Sequence, residues 1–258
     1  MAKIISVVNQ KGGVGKTTSA VNLVAALGAM GKKILLVDID PQGNTTSGYG
    51  ISRKNLAATS YEILIGTSTA REAVIKTKFQ GVDIIPSNIN LAGAELELVD
   101  MQSRESRIRS ALAPVKDRYD FIFIDCPPSL SLLTVNAMTA ADSVLVPIQC
   151  EYYALEGLSQ LIHTIELVKE RLNPNLDIEG VVFTMYDART NLSLQVVENV
   201  KSNLKQNVYK TIIPRNIRLA EAPSHGMPIN VYDSKSTGAE SYRLLAEEVI
   251  HRGEDEWL

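Results

Sequence analysis

Lys11-Gly12-Gly13-Val14-Gly15-Lys16-Thr17-Thr18 follows the apolar run Ile4-Ile5-Ser6-Val7-Val8 and leads directly into a stretch of helical period. Strand, glycine-rich turn and helix, in that order, predict a loop that cradles phosphate. Glycines let successive backbone N–H groups turn inward around an anion. The following helix aims its positive end at the same charge. Gly12, Gly13, Val14, Gly15 and Thr18 are then backbone contacts to the phosphates. Lys16 is expected to reach the β- and γ-phosphates of a nucleoside triphosphate, and the Thr17 hydroxyl to ligate Mg²⁺. One residue departs from the usual pattern G-x-x-x-x-G-K-[ST]: its first Gly position holds Gln10, and an additional lysine, Lys11, precedes Gly12. Two lysines this close repel each other unless anions or distance intervene. Lys11 therefore need not point into its own subunit's site.

Outward from this loop, short apolar runs alternate with longer helical segments. Residues 4–9, 34–39, 82–86, 121–125, 144–148, 180–185 and 211–213 are expected as strands. Several are apolar at consecutive positions, as in strands covered on both faces. Residues 17–30, 89–116 with an interruption, 130–141, 154–172, 191–204 and 237–251 are expected as helices. Gly28 and Gly31 surround the end of the first helix, and Asn173-Pro174-Asn175 stops the one at 154–172. The alternation predicts an α/β fold of three layers, the P-loop NTPase architecture, with a mostly parallel central sheet wrapped by helices. No repeat, low-complexity tract or Pro/Gly/Ser linker divides the chain. One domain over 1–258 is expected, without an N-terminal DNA-binding domain.

The 258 residues are 45% hydrophobic and 21% charged, an ordinary globular composition. The net charge of −3 argues against a globally basic nucleic-acid coat but leaves room for a local patch. Cys126 and Cys150 are too few for a disulfide framework or a Cys-rich zinc site and are expected as buried small hydrophobes. The first apolar run is broken at Asn9, Gln10 and Lys11, too early for a signal segment or a membrane span. Residues 246–258, AEEVIHRGEDEWL, are acidic, whereas a helix lying on anionic lipid should be basic on its polar face. No C-terminal membrane helix is expected, and the cytoplasm is the expected location.

Two further carboxylate clusters follow apolar strands. Asp38 and Asp40 sit at spacing i, i+2 in Val37-Asp38-Ile39-Asp40-Pro41-Gln42-Gly43-Asn44. Asp125 closes Phe121-Ile122-Phe123-Ile124-Asp125, the position that holds Mg²⁺ through water in P-loop enzymes.

KGGVGKTT, VDIDPQGN and DCPPS, in this order, resemble the ParA/MinD class of deviant Walker ATPases. QCEYYALEGLSQL (149–161), TMYDARTNL (184–192) and IPRNIRLAEAPSHGMPI (213–229) narrow the resemblance to chromosomal ParA proteins of the Soj type, over nearly the whole chain. The resemblance implies an ATPase cycling between ATP and ADP with Mg²⁺. Lys11 would reach across a face-to-face ATP homodimer to the partner subunit's phosphates, with a monomer in the apo and ADP states. Asp40 would position or activate the attacking water, and Asp38 would sit beside the Mg²⁺ and the switch region, so that Thr17, Asp38 and Asp125 form the metal set. Pro214 and Asn216 would contact the adenine. Arg189 and Arg218 would bind double-stranded DNA without sequence preference. The implied partner is a ParB-type centromere-binding protein whose basic N-terminal segment stimulates hydrolysis. The expected role is chromosome or plasmid partition on the nucleoid, with control of replication initiation also open.

The charge pattern fits. Residues 185–218 hold Arg189, Lys201, Lys205, Lys210, Arg215 and Arg218 against Asp187 and Glu198, a local +4. Phosphate contacts of this kind give salt-sensitive, sequence-independent affinity. Helices near 130–141 and 154–161 are expected to line the dimer interface. Three rivals fit less well: a MinD-like membrane-associated cell-division ATPase, whose basic C-terminal helix is missing; an iron-protein relative sharing a cluster, whose cysteine placement Cys126 and Cys150 do not match; and a nucleotide-gated DNA scaffold without turnover, against which Asp40 and Lys11 argue.

Overall fold

The structure, a computed structural model, describes residues 2–151, 154–204 and 207–255. Tyr152 and Tyr153 of the 149–161 segment, Lys205 of the basic segment and residues 256–258 of the acidic tail lie outside them. The first half comprises β1 (Lys3–Val7), α1 (Lys16–Ala29), β2 (Ile34–Asp38), α2 (Asn44–Gly48), α3 (Ser60–Ile65), α4 (Ala70–Ala73), β3 (Ile75–Lys76), β4 (Val82–Ile85), α5 (Leu91–Leu98) and α6 (Arg107–Leu112). The second comprises β5 (Phe121–Asp125), α7 (Leu132–Ala140), β6 (Ser143–Gln149), α8 (Ala154–Arg171), β7 (Asp177–Tyr186), α9 (Asn191–Asn203), β8 (Val208–Pro214), α10 (Ile217–Glu221), α11 (Ile229–Tyr232) and α12 (Thr237–Asp255).

Among the described residues the strands form one sheet in the order β3-β4-β2-β5-β1-β6-β7-β8. Every pairing is parallel except that of β3 with β4. The α/β expectation holds, and the consecutive apolar runs have the anticipated cause. On β5, Ile122 and Ile124 join the core on one face while Phe121 and Phe123 join the core on the other. On β2, Leu35 and Val37 divide from Ile34 and Leu36 in the same way. Helices cover both faces, so neither set of alternate side chains meets water.

Register decides where the chemistry gathers. Val7 and Asp38 are both register partners of Asp125, so three neighbouring strands end at one level. The loops after β1, β2 and β5 therefore emerge side by side at the C-terminal edge of the sheet, where ligands bind in open α/β folds.

Short elements escaped the sequence reading: α2, α3, α4, β3, α10 and α11 each span six residues or fewer, too few to show a period. The expected helix over 89–116 is broken into α5 and α6, and the strand expected at 211–213 runs the length of β8. Capping boxes open α3 (Thr59 with Glu62) and α4 (Thr69 with Glu72). At the last edge of the sheet, Gly180 admits the Tyr209 ring and the Arg252 guanidinium: a Cβ there would lie 2.5 Å from the ring and 2.9 Å from Arg252. Arg252 stacks 4.0 Å above Tyr209 and donates to the carbonyls of Glu179 and Val208, clipping α12 to the sheet.

Candidate nucleotide site

The loop after β1 is shaped as its sequence predicts. Gly13 (φ 76°) and Gly15 (φ 87°) take left-handed conformations that a side chain would strain. Gly15 is also the N-cap of α1, so no side chain caps the helix, and no acid sits in its first turn. A helix N-terminus left open in this way presents its N–H groups to an anion. Thr184 of β7 braces the loop from below, its hydroxyl donating to the Val14 carbonyl at 2.7 Å.

Lys16 is buried, and its ammonium donates to the Lys11 carbonyl at 3.0 Å. Burial holds its pKa below the ordinary lysine value, against the opposing pull of Asp125. The cation is thus desolvated and bonded to one neutral acceptor, a state that gains from an incoming anion. Lys11 is arranged differently. Its N–H is fixed by the Asn9 carboxamide, and its side chain, 43% exposed, pairs with Glu151 beyond β6. Gln10 beside it donates to the Gly157 carbonyl of α8. The start of α8, one of the two segments expected at an interface, therefore abuts the Lys11 end of the loop. A Cβ on Gly12 would meet only Pro128 at 3.9 Å, so a single chain has room for it.

Asp125 is buried completely. Its Oδ2 accepts from the Thr17 hydroxyl at 2.9 Å and the Thr45 hydroxyl at 2.6 Å, while Oδ1 is buried without a hydrogen-bond partner. Burial raises its pKa to about 6. A carboxylate with one orphaned oxygen, beside a threonine hydroxyl, suits a hard divalent cation with oxygen ligands. Asp38 is as buried, but its oxygens are used internally. Oδ1 accepts from the Asp40 N–H, and Oδ2 from the N–H and hydroxyl of Thr46. Burial first, then the Asp125 charge, raises its pKa to about 7. Asp38 thus faces α2 and ties it to the Asp40 loop.

Gly13, Gly15, Lys16, Thr17, Thr18 and Asp40 line a cleft of about 350 Å³. Pro214 and Asn216, about 200 residues away in sequence, line the same cleft with Met185, Ile213, Leu219 and Tyr242. Sequence reasoning missed Thr45, Thr46, Thr184, Met185, Tyr242 and Glu151. Thr45 and Thr46 were readable, since they directly follow the VDIDPQGN cluster.

The basic segment does not form one patch. Arg189 follows β7, while Arg215 and Arg218 follow β8, all at the nucleotide edge. Lys201 ends α9 and Lys210 begins β8, at the opposite edge, because a crossover helix carries the chain back across the sheet. Arg189, 86% exposed, pairs with Asp187, and Arg218 pairs with Glu221 at 2.9 Å and Asp233 at 3.4 Å.

The AAA domain family (AAA_31) matches residues 2–178. The sporulation initiation inhibitor protein Soj of Bacillus subtilis (strain 168) is 58% identical, covering 98% of this chain and 100% of the relative. The chromosome partitioning protein ParA of Myxococcus xanthus is 53% identical, over 98% of this chain and 89% of the relative. A solved structure of a cobyrinic acid a,c-diamide synthase from Mycobacterium smegmatis, with bound ADP and magnesium, superposes with a TM-score of 0.87 at 37% identity, covering 98% and 96% of the two chains. With its phosphate loop, paired strand-end carboxylates and full-length likeness to these relatives, the chain belongs to the ParA/MinD family of P-loop ATPases, in its chromosome-partitioning Soj/ParA branch.

Proposed function

We propose that this chain is a DNA-partitioning ATPase that binds Mg²⁺-ATP in the cleft that the loop at Gly12–Thr18 shares with Pro214 and Asn216. The observation that carries this reading is the desolvated Lys16 ammonium at an uncapped helix N-terminus, in the field of an Asp125 carboxylate that keeps one buried oxygen without a partner. Lys16 and the N–H groups of Gly13, Gly15, Thr17 and Thr18 bind the phosphates; Val14 fixes the loop through Thr184. Thr17 and Asp125 would hold Mg²⁺, with Asp38 beside Asp125 on the neighbouring strand, and the ion when bound would supply positive charge against that developing on the phosphates. Pro214 and Asn216 receive the adenine. Asp40, mostly buried at the cleft wall, orients the attacking water and accepts its proton.

Lys11 completes the site of a second subunit, so ATP joins two chains into a homodimer and hydrolysis to ADP releases monomers. Arg189 and Arg218, doubled in that dimer, hold DNA through its phosphates without reading bases. A ParB-type protein stimulates hydrolysis, and the cycle places the protein on the nucleoid in the cytoplasm and moves chromosomal or plasmid DNA. The MinD-like rival is the weaker reading: α12 spends its apolar face, Tyr242, Leu245, Ala246 and Val249, on the core. No helix among the described residues is long and apolar enough to cross a membrane. Both cysteines, Cys126 and Cys150, are buried within the chain.

The test is size-exclusion chromatography of Asp40→Ala with ATP, with and without DNA. A stable ATP dimer that co-elutes with DNA is expected, with turnover reduced about 10²-fold or more. Wild-type turnover in this variant would move the water-activating role elsewhere.

A further inference from the structure

α5 is apolar on two opposite faces. Leu91, Ala94 and Leu98 are buried in the core beneath it. Ile89, Ala92, Leu96 and Val99, spaced three, four and three apart, form a stripe on the other side at 3.6 residues per turn. That stripe is open to solvent: Ile89 is 67% exposed, Leu96 78% and Val99 53%. The stripe's own segment carries only acidic charge, while Arg104, paired with Glu105, donates to the Val99 carbonyl at its end. Residues 79–103 contain no lysine or arginine, and their charges are Asp83, Glu95, Glu97 and Asp100. On the helix, Glu95 falls to one side of the stripe and Glu97 and Asp100 to the other.

We infer that this stripe is the docking surface for a basic amphipathic segment of the protein that stimulates hydrolysis, an inference that rests on the partner reading above. Apolar side chains of such a segment cover Leu96 and Val99 while its lysines and arginines meet the flanking carboxylates. The same charges disfavour other occupants. A second copy of this chain would set acidic rows against each other, and an anionic lipid surface is repelled.

The surface is wired to the catalytic loop. Two residues before Ile89, the Ser87 hydroxyl donates to the Asp40 carbonyl at 2.8 Å, and its N–H donates to the Thr46 hydroxyl at 2.9 Å. Thr46 donates to Asp38 at 2.6 Å, and Asp38 in turn accepts from the Asp40 N–H at 3.1 Å. The ring Asp40–Ser87–Thr46–Asp38 closes on itself, all four side chains buried. A segment that seats on α5 and shifts residues 88–90 moves Ser87, and Ser87 moves the backbone of Asp40.

The test measures ATP turnover with and without the organism's own full-length ParB-type protein, in wild type, Leu96→Ser/Val99→Ser and Glu95→Lys/Asp100→Lys. All four positions are on an exposed or half-exposed helix face, so folding, basal turnover and ATP-dependent sedimentation should match wild type. The stimulated increment should fall at least tenfold in both double variants. Stimulation equal to wild type in either one overturns the docking surface and leaves the partner reading standing. Absence of stimulation in wild type overturns the partner reading and the inference with it. Loss of the ATP-dependent dimer in Leu96→Ser/Val99→Ser assigns the stripe to a second copy and overturns the inference as well.

Discussion

Lys11 and Lys16 leave one loop in opposite directions: the Lys16 ammonium is buried and donates to the Lys11 carbonyl at 3.0 Å, while the Lys11 ammonium is partly solvated on Glu151. The divergence separates two like charges five residues apart and frees Lys11 from the phosphates of its own cleft. Lys11→Ala is expected to bind ATP and ADP as wild type does but to remain monomeric, and so to lose DNA binding and stimulated hydrolysis. Sedimentation with ATP checks this; a dimer as stable as wild type refutes action in trans.

Lys16→Ala removes the desolvated cation at the mouth of α1. Nucleotide affinity is expected to fall by about 10²-fold, in line with losing a buried charge-assisted hydrogen bond of roughly 3 kcal/mol. Isothermal titration calorimetry reads it directly, and unchanged affinity would place the phosphates elsewhere.

The Asp38 carboxyl has a folded-state pKa of about 7, above the ordinary carboxylate value. The native chain therefore holds a proton that the unfolded chain has already released between these values. Stability of the nucleotide-free, Mg²⁺-free chain is expected to fall as pH rises from about 4 to about 7 and to level off above. Thermal unfolding across that range should show a smaller slope in Asp38→Asn than in wild type. Equal slopes would mean that Asp38 titrates normally.

Arg189 and Arg218 reach one sheet edge from two different crossovers. Arg189→Ala/Arg218→Ala is expected to abolish DNA retention while ATP-driven dimerisation persists. Single variants should flatten the dependence of log affinity on log salt by about 1 for each phosphate no longer neutralised. Retardation of DNA by the double variant at low salt would show that the phosphates are held by other residues.

Gly180 is a packing requirement rather than a site residue. Gly180→Ala drives a methyl into Tyr209 and the Arg252 clip, and is expected to destabilise the fold by about 1–3 kcal/mol with nucleotide affinity retained. Urea unfolding measures the loss; a midpoint equal to wild type would mean that α12 moves aside at no cost.

The phosphate loop, the strand-end carboxylates and the α/β alternation were legible in sequence because each is local. A glycine needed at positive φ, an aspartate at the end of an apolar run and a helical period are set by neighbours a few residues away. Tertiary structure decided the rest, because it joins residues through sheet register and crossovers that no local period encodes. Parallel register brought Asp125 level with Asp38 and β1, put Pro214 and Asn216 in the same cleft as Lys16, and set Thr184 beneath Val14. The same crossover geometry broke the apparent +4 segment, sending Lys201 and Lys210 to the far edge while Arg189 and Arg218 stayed with the nucleotide. Asp38 shows the division within a single residue. Its place after an apolar strand was plain from sequence, but its oxygens were claimed by Thr46 and Asp40 only once the chain had folded back over it.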